Sequence, residues 1–598
     1  MSEPASDLRP RWWSEWGIAA LLFLGTAAVV VWQNSRLGVL WDLSYILENS
    51  YRISLGDVPY RDFPFPYAPL TFLIQAAIIK LTGRVFWHHI LYCAILGGLG
   101  TVLTSRIVLN VLRSVAPQAR LLAFLLVIPL VFLGIYCIYP HPFYDPDSTF
   151  VILLAVLLLQ CLEGKGFPPL PTLLTGALLV VPLFVKQNTG LAFLSSVLGM
   201  LIVVIALELW RRRPVRGYVL LVAGAVVGLA LALILIHFTA GLGNYQRWTI
   251  KFAAARRTPP LKDMLAVYQD RTLVWWCAAF VLGVFVLWLN KKRKRLLTLV
   301  ALCLMSAPFA WPALYLLCDQ DGSERAERLL SLWPMVVILC LIFAGLTVRR
   351  RKGITLALPF ILIGTVHGAF LSQQLWGSTY ALWPLWIVLC ATVILALIEL
   401  LKDRAIRVIA PLVGVITISL SVAGVFYLRS HERLEYADLS EGNLVRSQLP
   451  PLRGLSVRGS WLPDFEELVH YTDQKIPRED GILIIPGEDL FYYTTGRRPR
   501  FPVLMFDHTV NPYSAEEILT EARARDIRWL VIKDGLQLEE EPLENKTHLF
   551  ELLRQDFRHV ESLNNYEILK RRTPGDKEEM DDDADEQDDE GSAEPDKK

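Results

Sequence analysis

The chain has 598 residues, of which 53% are hydrophobic and 20% charged, and its mean hydropathy is +0.39. This composition excludes an ordinary soluble globular protein, which exposes more charge and carries fewer apolar residues. The net charge is only +1 because 59 basic and 58 acidic residues balance, and they are segregated along the chain. We therefore expect the lipid bilayer to be a partner and predict no nucleic-acid partner.

Apolar runs long enough to cross a bilayer recur along the first three quarters of the chain. A span needs roughly 17–25 residues, since the hydrocarbon core is about 30 Å thick. The first run lacks a small-residue cleavage site and is predicted to be an uncleaved anchor. The thirteen predicted spans are 15–33, 86–109, 121–139, 148–163, 169–185, 190–209, 217–238, 272–290, 296–317, 329–347, 353–372, 378–400 and 406–427.

A fourteenth candidate, residues 70–83, is short and contains Lys80. If it lies at the interface, all basic groups between the other spans fall on one side, which the positive-inside rule makes cytoplasmic. If it spans, only Arg9 and Arg11 lie opposite to the rest. We therefore predict an interfacial helix at 70–83, a cytoplasmic N-terminus and an outward C-terminus. The other basic groups are Arg106, Arg113 and Arg120, Lys165, Arg211–Arg216, Lys291–Arg295, Arg349–Lys352, and Lys402, Arg404 and Arg407.

The first outward loop, 34–85, contains an amphipathic pattern from Asp42 to Leu55. Apolar residues share one face, and a second face carries Asp42, Tyr45, Asn49 and Arg52. Gly56 ends the predicted helix. The aromatic-proline collar, Phe63–Pro69, cannot continue a helix, because its three prolines lack an amide donor. A helix lying flat on the membrane before a rigid collar predicts one wall of a lipid-facing cleft.

These motifs carry a family resemblance. An Asp after the first span, an amphipathic helix, then Gly56-x-x-Pro59-Tyr-Arg-Asp-Phe63 and Tyr67-x-Pro69-Leu70 resemble the superfamily C glycosyltransferases (GT-C). These multi-pass membrane enzymes move a sugar from a polyprenyl-phosphate carrier. The nearest branch resembles bacterial relatives of protein O-mannosyltransferases and lipid A aminoarabinose transferases. The resemblance implies a polyprenyl-phosphate-linked sugar donor and an extracytoplasmic glycan, lipid or protein acceptor.

Such a transfer requires a base for the acceptor hydroxyl and a cation for the departing phosphate. Asp42 is the candidate base, because it emerges at the outer end of the first span on the polar face of the next helix. The alternative is that Asp42 is a helix N-cap or a first-turn acid.

The second outward loop, Tyr139–Asp147, brings Asp145 and Asp147 to the same surface. The resemblance implies one functional acid in this loop, and both positions fit. The two acids are candidates to share the base and acceptor-orienting roles, or to hold a divalent cation. The alternative is that Asp147 or Ser148 caps the next helix. No metal or other cofactor is predicted, and the eight cysteines lie in or beside apolar runs, with no disulfide framework implied.

Lys186, followed by Gln187, is the best phosphate candidate. It lies at the outer end of one span just before the next, where an unpaired ammonium is costly unless it meets an anion. Snorkelling to water is the alternative. Arg61 and Asp62 either pair with each other or serve the phosphate and sugar. Further candidate binding residues are Tyr45, Tyr60 and Tyr67, together with Arg247 and Lys251 from the basic outward loop 239–271.

The chain departs from the aminoarabinose and mannose branch at two places. That branch often has Lys before the Pro of Y-x-P-L and a basic residue three positions after the catalytic Asp. Here those places hold Ala68 and Tyr45. The phosphate site is therefore expected to be arranged differently.

The polar part after residue 427 predicts a small α/β domain, 428–574, outside the membrane. Its Tyr493-x-x-Gly496-Arg-x-Pro499 element resembles one found in C-terminal domains of bacterial GT-C proteins. Residues 575–598 are acidic, without apolar content, and predict a disordered tail. Strands are predicted at 481–486, 529–533, 559–563 and 566–569, and helices at 464–475, 514–525 and 545–556.

The sequence thus predicts an α-helical multi-pass membrane protein of about 13 transmembrane helices with a GT-C-like domain at 1–427. The expected activity is sugar transfer with a carboxylate general base. Two alternatives stay open. One is a transporter or flippase of lipid-linked sugars, which the lack of inverted repeats disfavours. The other is a lipid-linked polysaccharide polymerase or ligase, which differs only in donor size.

Overall fold

The computed structural model of the protein describes residues 12–113, 118–257, 260, 262, 265–318, 329–370, 380–430, 442–536 and 546–572. The predicted acidic tail at 575–598 and the outer loop at 373–377 lie outside the described residues. The chain is an α-helical multi-pass membrane protein with a small C-terminal α/β region. The division of the chain at residue 428 stays a prediction.

The membrane region contains nineteen described α-helices, which we number in chain order. They are α1 Trp12–Asn34, α2 Leu40–Ser54, α3 Leu70–Thr82, α4 Phe86–Leu112, α5 Ala119–Val127, α6 Leu130–Leu133, α7 Tyr144–Gly164, α8 Pro169–Leu178, α9 Val181–Val185, α10 Gln187–Trp210, α11 Arg216–Thr239, α12 Leu242–Gln246, α13 Ala253–Arg257, α14 Thr272–Leu289, α15 Arg295–Cys318, α16 Leu332–Thr347, α17 Gly353–Phe370, α18 Trp383–Leu401 and α19 Asp403–Ser430. A π-helical turn, Arg247–Phe252, joins α12 to α13.

Ten helices within the described ranges are long and apolar enough to cross a membrane. The other three predicted spans coincide with shorter or broken helices. α5 and α6 are separated at Pro129, and α8 and α9 are separated just before Pro182, because proline lacks the amide donor of a continuous helix. α17 is an unbroken but shorter apolar helix. The count of thirteen spans stays a prediction.

A carboxylate at the start of α1 shows the direction of the next long helix. Glu15 accepts hydrogen bonds from Arg106, near the end of α4, at 2.8 Å and pairs with Arg120, in α5, at 3.1 Å. α1 and α4 are therefore antiparallel, and the connecting chain begins and ends at the same end of the bundle. α3 does not cross the bundle, in agreement with the interfacial helix expected at 70–83.

The predicted cytoplasmic loops also gather at one end of the bundle. Side-chain contacts near the helix ends link them in sequence. The linking pairs are Asn110–Gln160 (3.1 Å), Glu163–Ile354 N (2.8 Å), Arg351–Glu399 (3.1 Å) and Arg293–Asp403 (3.2 Å). We call this the basic end of the bundle, and the opposite end, which carries α2 and α3, the outer end.

At the outer end, the C-terminal region packs against α2. A two-stranded antiparallel pair, β1 Leu444–Arg446 with β2 Ser456–Arg458, precedes a four-stranded sheet of order β3-β4-β6-β5. β3 Gly481–Ile485 is parallel to β4 Ile527–Lys533, while β5 Phe557–Ser562 and β6 Tyr566–Arg571 are antiparallel. The predicted strands are confirmed within about two residues. The accompanying helices are α20 Trp461–Lys475, α21 Phe491–Thr495, α22 Ala515–Ala524 and α23 Lys546–Asp556.

The expectation that α2 exposes a polar face on the membrane surface is wrong. Every residue from Leu43 to Arg52 is buried. Ser44, Glu48 and Arg52, spaced four residues apart, form one polar stripe that meets the C-terminal region. In this stripe Ser44 Oγ donates a hydrogen bond to the Gly487 carbonyl oxygen at 2.6 Å. The Tyr493 amide donates to Glu48 Oε1 at 3.0 Å. Arg52 Nη1 donates to the Pro502 carbonyl oxygen at 2.7 Å.

A buried charge cluster holds the segment that receives this stripe. Lys533, at the end of β4, lies 2.9 Å from Asp489 and 3.3 Å from Glu488. The Tyr566 hydroxyl donates to the other Asp489 carboxylate oxygen at 2.9 Å. The ends of two sheet strands thereby fix the loop whose backbone binds Ser44.

The buried Glu48 carboxyl makes the docking of α2 sensitive to pH. Burial raises the pKa of Glu48 well above its ordinary value near 4.5. The carboxyl therefore contributes most stability below about pH 4.5, and that contribution is lost as the pH rises through the folded-state pKa. The cost is about 1.4 kcal/mol for each pH unit between the two pKa values.

We predict that Glu48→Gln, which keeps the acceptor for the Tyr493 amide but cannot ionise, melts increasingly above the wild type as the pH rises from 4.5 to 8. Thermal unfolding of the detergent-purified protein measures this. Glu48→Ala, which loses the acceptor, should melt below Glu48→Gln at every pH. If the difference in melting temperature between the wild type and Glu48→Gln is the same at every pH, Glu48 does not titrate in this range.

Candidate active site

Lys186 and Asp145 form a buried ion pair at the outer end of the bundle. Lys186 lies in the extended residue between α9 and α10, and Asp145 lies in the first turn of α7. Their side chains are 7% and 5% exposed, and Lys186 Nζ donates to an Asp145 carboxylate oxygen. The sequence expectation of a stranded ammonium is therefore incomplete, because Lys186 already meets an anion of the protein. The alternative that the Lys186 side chain extends to water is wrong, because this side chain is buried.

Aromatic rings connect the ion pair to α2. Lys186 Nζ lies 5.6 Å from the centroid of the Tyr144 ring, within the range of a cation–π contact. The Tyr144 ring lies 5.7 Å from that of Tyr67, which in turn lies 4.4 Å from that of Tyr45. Tyr67 is thus one ring away from Tyr144, and Tyr45 is two rings away, in an aromatic row that ends at the ion pair.

Hydrogen bonds hold the aromatic-proline collar against the same place. Gln187 Nε2 donates to the Pro66 carbonyl oxygen at 3.0 Å. The Tyr60 hydroxyl donates to the Tyr67 carbonyl oxygen at 2.6 Å, and Tyr60 is buried with a φ of 69°. Tyr60 therefore shapes the collar, and Gln187 ties it to the residue next to Lys186.

Asp42 lies in the first turn of α2, half-buried. Val39 occupies the N-cap position, so of the two alternatives the N-cap is wrong and a first-turn acid remains. Asp42 and Tyr45 are three residues apart and share a helix face. Since Tyr45 contacts Tyr67, this face of α2 is the one that packs against the aromatic-proline collar.

Asp147 has a different environment from Asp145. Its carboxylate accepts hydrogen bonds from three hydroxyl groups on separate segments, those of Thr71 (2.7 Å), Tyr92 (2.7 Å) and Tyr136 (2.5 Å). Such a carboxylate joins α3, α4 and α7 together. The cap alternative for Asp147 or Ser148 is wrong, because Phe143 takes the N-cap position of α7.

Arg61 and Asp62 pair with each other, which was one of the two expected arrangements. Arg61 Nε lies 2.8 Å from Asp62 Oδ1, and the side chains are 53% and 33% exposed. The other Asp62 oxygen accepts from the Val58 amide at 2.7 Å, which closes the turn. The structure does not bring these two residues into contact with Lys186.

The basic outward loop lies over the collar. Arg247 and Lys251 are exposed on the π-helical turn. The preceding Tyr245 ring lies 5.1 Å from the Tyr60 ring and 6.5 Å from that of Phe184, one residue before α9 ends. The loop thus carries its positive charges to the edge of the site.

Two features of the site escaped the sequence reasoning. Tyr144, whose ring contacts Lys186 Nζ, was not among the predicted site residues, and the signal for it was its position next to Asp145. The stripe of Ser44 and Glu48 was overlooked, although its four-residue spacing was visible. Among the described residues there is no group of three or more His, Cys, Asp or Glu side chains placed to hold a metal ion.

No protein-family model and no curated protein matches this chain. Its structure is similar to that of ArnT, a lipid A aminoarabinose transferase, from Cupriavidus metallidurans. With ArnT bound to undecaprenyl phosphate the identity is 14% and the TM-score 0.42, over 93% of this chain and 98% of that one. With the apo form of ArnT the identity is 15% and the TM-score 0.43, over 92% of this chain and 97% of that one. The apo oligosaccharyltransferase of Archaeoglobus fulgidus is also similar, at 11% identity and a TM-score of 0.48, over 88% and 70%.

Proposed function

We propose that the protein is a GT-C membrane glycosyltransferase that moves a sugar from a polyprenyl-phosphate carrier to an extracytoplasmic acceptor. The observation that carries the proposal is the buried Lys186–Asp145 pair, next to a rigid aromatic collar and to the helix of Asp42. A cation, a carboxylate and aromatic surface at headgroup depth are what transfer from a lipid phosphate needs. The motifs of the first outer loop supply the link to sugar chemistry.

In the proposed reaction the acceptor hydroxyl oxygen forms a bond to the anomeric carbon of the sugar. The bond between that carbon and the phosphate oxygen breaks, and the phosphate leaves with the electron pair. The hydroxyl proton passes to the Asp42 carboxylate. Lys186 stabilises the negative charge on the departing phosphate, and its ammonium is positioned for this by Asp145.

The other residues have supporting roles in this proposal. Tyr45 and Tyr67 offer aromatic surface to the sugar or to the first isoprene units, and Gln187 and Tyr60 hold the collar. Arg61 and Asp62 line its exposed edge. Arg247 and Lys251 attract the anionic carrier, since exposed basic residues raise the local concentration of an anionic lipid.

Asp42→Asn should lower turnover by about 10²–10⁴-fold, because the amide keeps the shape but cannot accept the proton. The measurement is sugar transfer by the purified protein from a polyprenyl-phosphate sugar, with binding of the carrier measured in parallel. Binding and thermal stability should be almost unchanged. Transfer by the wild type distinguishes an enzyme from a transporter.

Asp473→Asn, an exposed acid of the C-terminal region, is the matched control and should retain activity. Asp147→Asn should melt at a lower temperature, since it alters a carboxylate with three donors. If Asp42→Asn retains full transfer while Asp145→Asn or Asp147→Asn abolishes it without loss of stability, the base lies in the second loop.

Variants of the ion pair should separate phosphate binding from a structural role. Lys186→Met should weaken binding of polyprenyl phosphate by about 1.5–3 kcal/mol, as for a charged hydrogen bond. Asp145→Asn should strengthen it, because the ammonium no longer shares its charge with a carboxylate. If the pair has only a structural role, both variants should melt at a lower temperature than the wild type and bind polyprenyl phosphate with unchanged affinity. Lys475→Met, in α20, is the control for loss of one exposed lysine.

The orientation of the bundle can be tested by labelling. Pro450→Cys and Arg212→Cys are both exposed sites, at the outer end and the basic end respectively. In a background without the eight native cysteines, a membrane-impermeant thiol reagent should label residue 450 from outside the cell and spare residue 212. The reverse pattern would place the proposed site in the cytoplasm and contradict the proposal.

A further inference from the structure

A second candidate site lies at the basic end, far from the Lys186–Asp145 pair. The start of α1, the end of α4 and the start of α5 enclose a cavity of about 430 Å³. Its polar part is lined by Glu15, Arg106, Asn110, Arg113, Gln118 and Arg120. Three guanidinium groups therefore face a single carboxylate.

The pairing within this cavity leaves an excess of positive charge. Glu15 uses one carboxylate oxygen for Arg106, at 2.8 Å, and the other for Arg120, at 3.1 Å. Arg113 is exposed and forms no ion pair with the residues that the structure describes. Arg106 and Arg120 keep 36% and 50% of their side-chain surface exposed, so both can bind a further anion. An arginine fork is well suited to a phosphate.

An apolar crevice continues from the same residues. Glu15, Arg106, Leu109 and Arg120 line both the polar cavity and a narrower space between the three helices. That space is lined further by one polar residue, Ser105, and by Ile18, Ala19, Val102, Ala123 and Phe124. The surrounding helix faces carry exposed leucines, which in the membrane contact lipid tails, at Leu21, Leu99 and Leu121.

We propose that this groove binds an anionic glycerophospholipid of the surrounding bilayer, with its phosphate on Arg106, Arg113 and Arg120 and the first methylene groups of an acyl chain at the crevice, whose volume of about 40 Å³ admits only a short part of the chain. The charge excess selects an anionic headgroup, and the continuity with an apolar crevice selects a lipid over a free phosphate. The proposal goes beyond the sugar transfer proposed above and does not depend on it, because the two sites lie at opposite ends of the bundle.

The bound lipid would add to the contact that Glu15 makes between α1, α4 and α5 at this end of the bundle. A ligand that binds only the folded state stabilises it by RT ln(1 + [L]/Kd). The lipid would thereby stabilise α1, and the outer end of α1 leads into α2.

The test uses the full-length protein, delipidated in a neutral detergent, and dioleoyl-phosphatidylglycerol as the probe. Native mass spectrometry and thermal unfolding measure its binding. We expect phosphatidylglycerol to bind and to raise the melting temperature, and dioleoyl-phosphatidylcholine to do neither. Arg113→Gln/Arg120→Gln should weaken phosphatidylglycerol binding roughly tenfold or more, given the attraction of each arginine for an anionic headgroup.

Arg349→Gln is the matched control, because Arg349 is exposed at the same end but outside the groove, and this variant should bind like the wild type. Glu15→Gln removes the competing carboxylate and should strengthen binding, a gain that poor folding cannot produce. It remains decisive if the double variant does not fold. Equal effects of the two lipids, equal weakening by Arg349→Gln, or equal binding of inorganic phosphate would each overturn the proposal.

Discussion

The hydrogen bonds between α2 and the C-terminal region are the constraint on which the rest of the outer end depends. Ser44, Glu48 and Arg52 contact backbone groups of a loop that is itself held by the buried charges around Lys533. An unpaired polar group buried here would cost about 1–3 kcal/mol, so the stripe tolerates little displacement. Because Asp42 precedes this stripe on the same helix, the C-terminal region also fixes the position of the proposed base.

The net stability of the Lys186–Asp145 ion pair depends on the loss of hydration and on the attraction between the two charges. Two charges withdrawn from water lose much of their hydration, and their mutual attraction barely compensates. Such a pair is weak evidence for stability. In the proposed reaction the lipid phosphate is a second anion for Lys186, and the pair would then serve binding. Asp147, two residues away, is instead satisfied by three hydroxyl groups and behaves as part of the frame.

Charge is thus distributed between two ends with different chemistry. At the outer end the Lys186–Asp145 pair is buried, as the proposed recognition of a lipid phosphate requires. At the basic end the guanidinium groups of Arg106, Arg113 and Arg120 remain partly exposed near apolar surface, as the proposed contact with lipid headgroups requires. Antiparallel packing of α1 and α4, fixed by Glu15, separates the two ends.

The sequence by itself determined the membrane class, the positions of the long helices, the short α3 that does not cross the bundle and the strands of the four-stranded sheet, because apolar length and alternation are local properties of the chain. The number of predicted spans between them also placed Asp42, Asp145, Asp147 and Lys186 at one end of the bundle. Only the tertiary structure decided that Lys186 pairs with Asp145, that Asp147 is held by hydroxyl groups, and that α2 is enclosed. Those outcomes depend on contacts between segments up to hundreds of residues apart, such as Ser44 with Gly487. No local pattern encodes which partner a buried polar group meets.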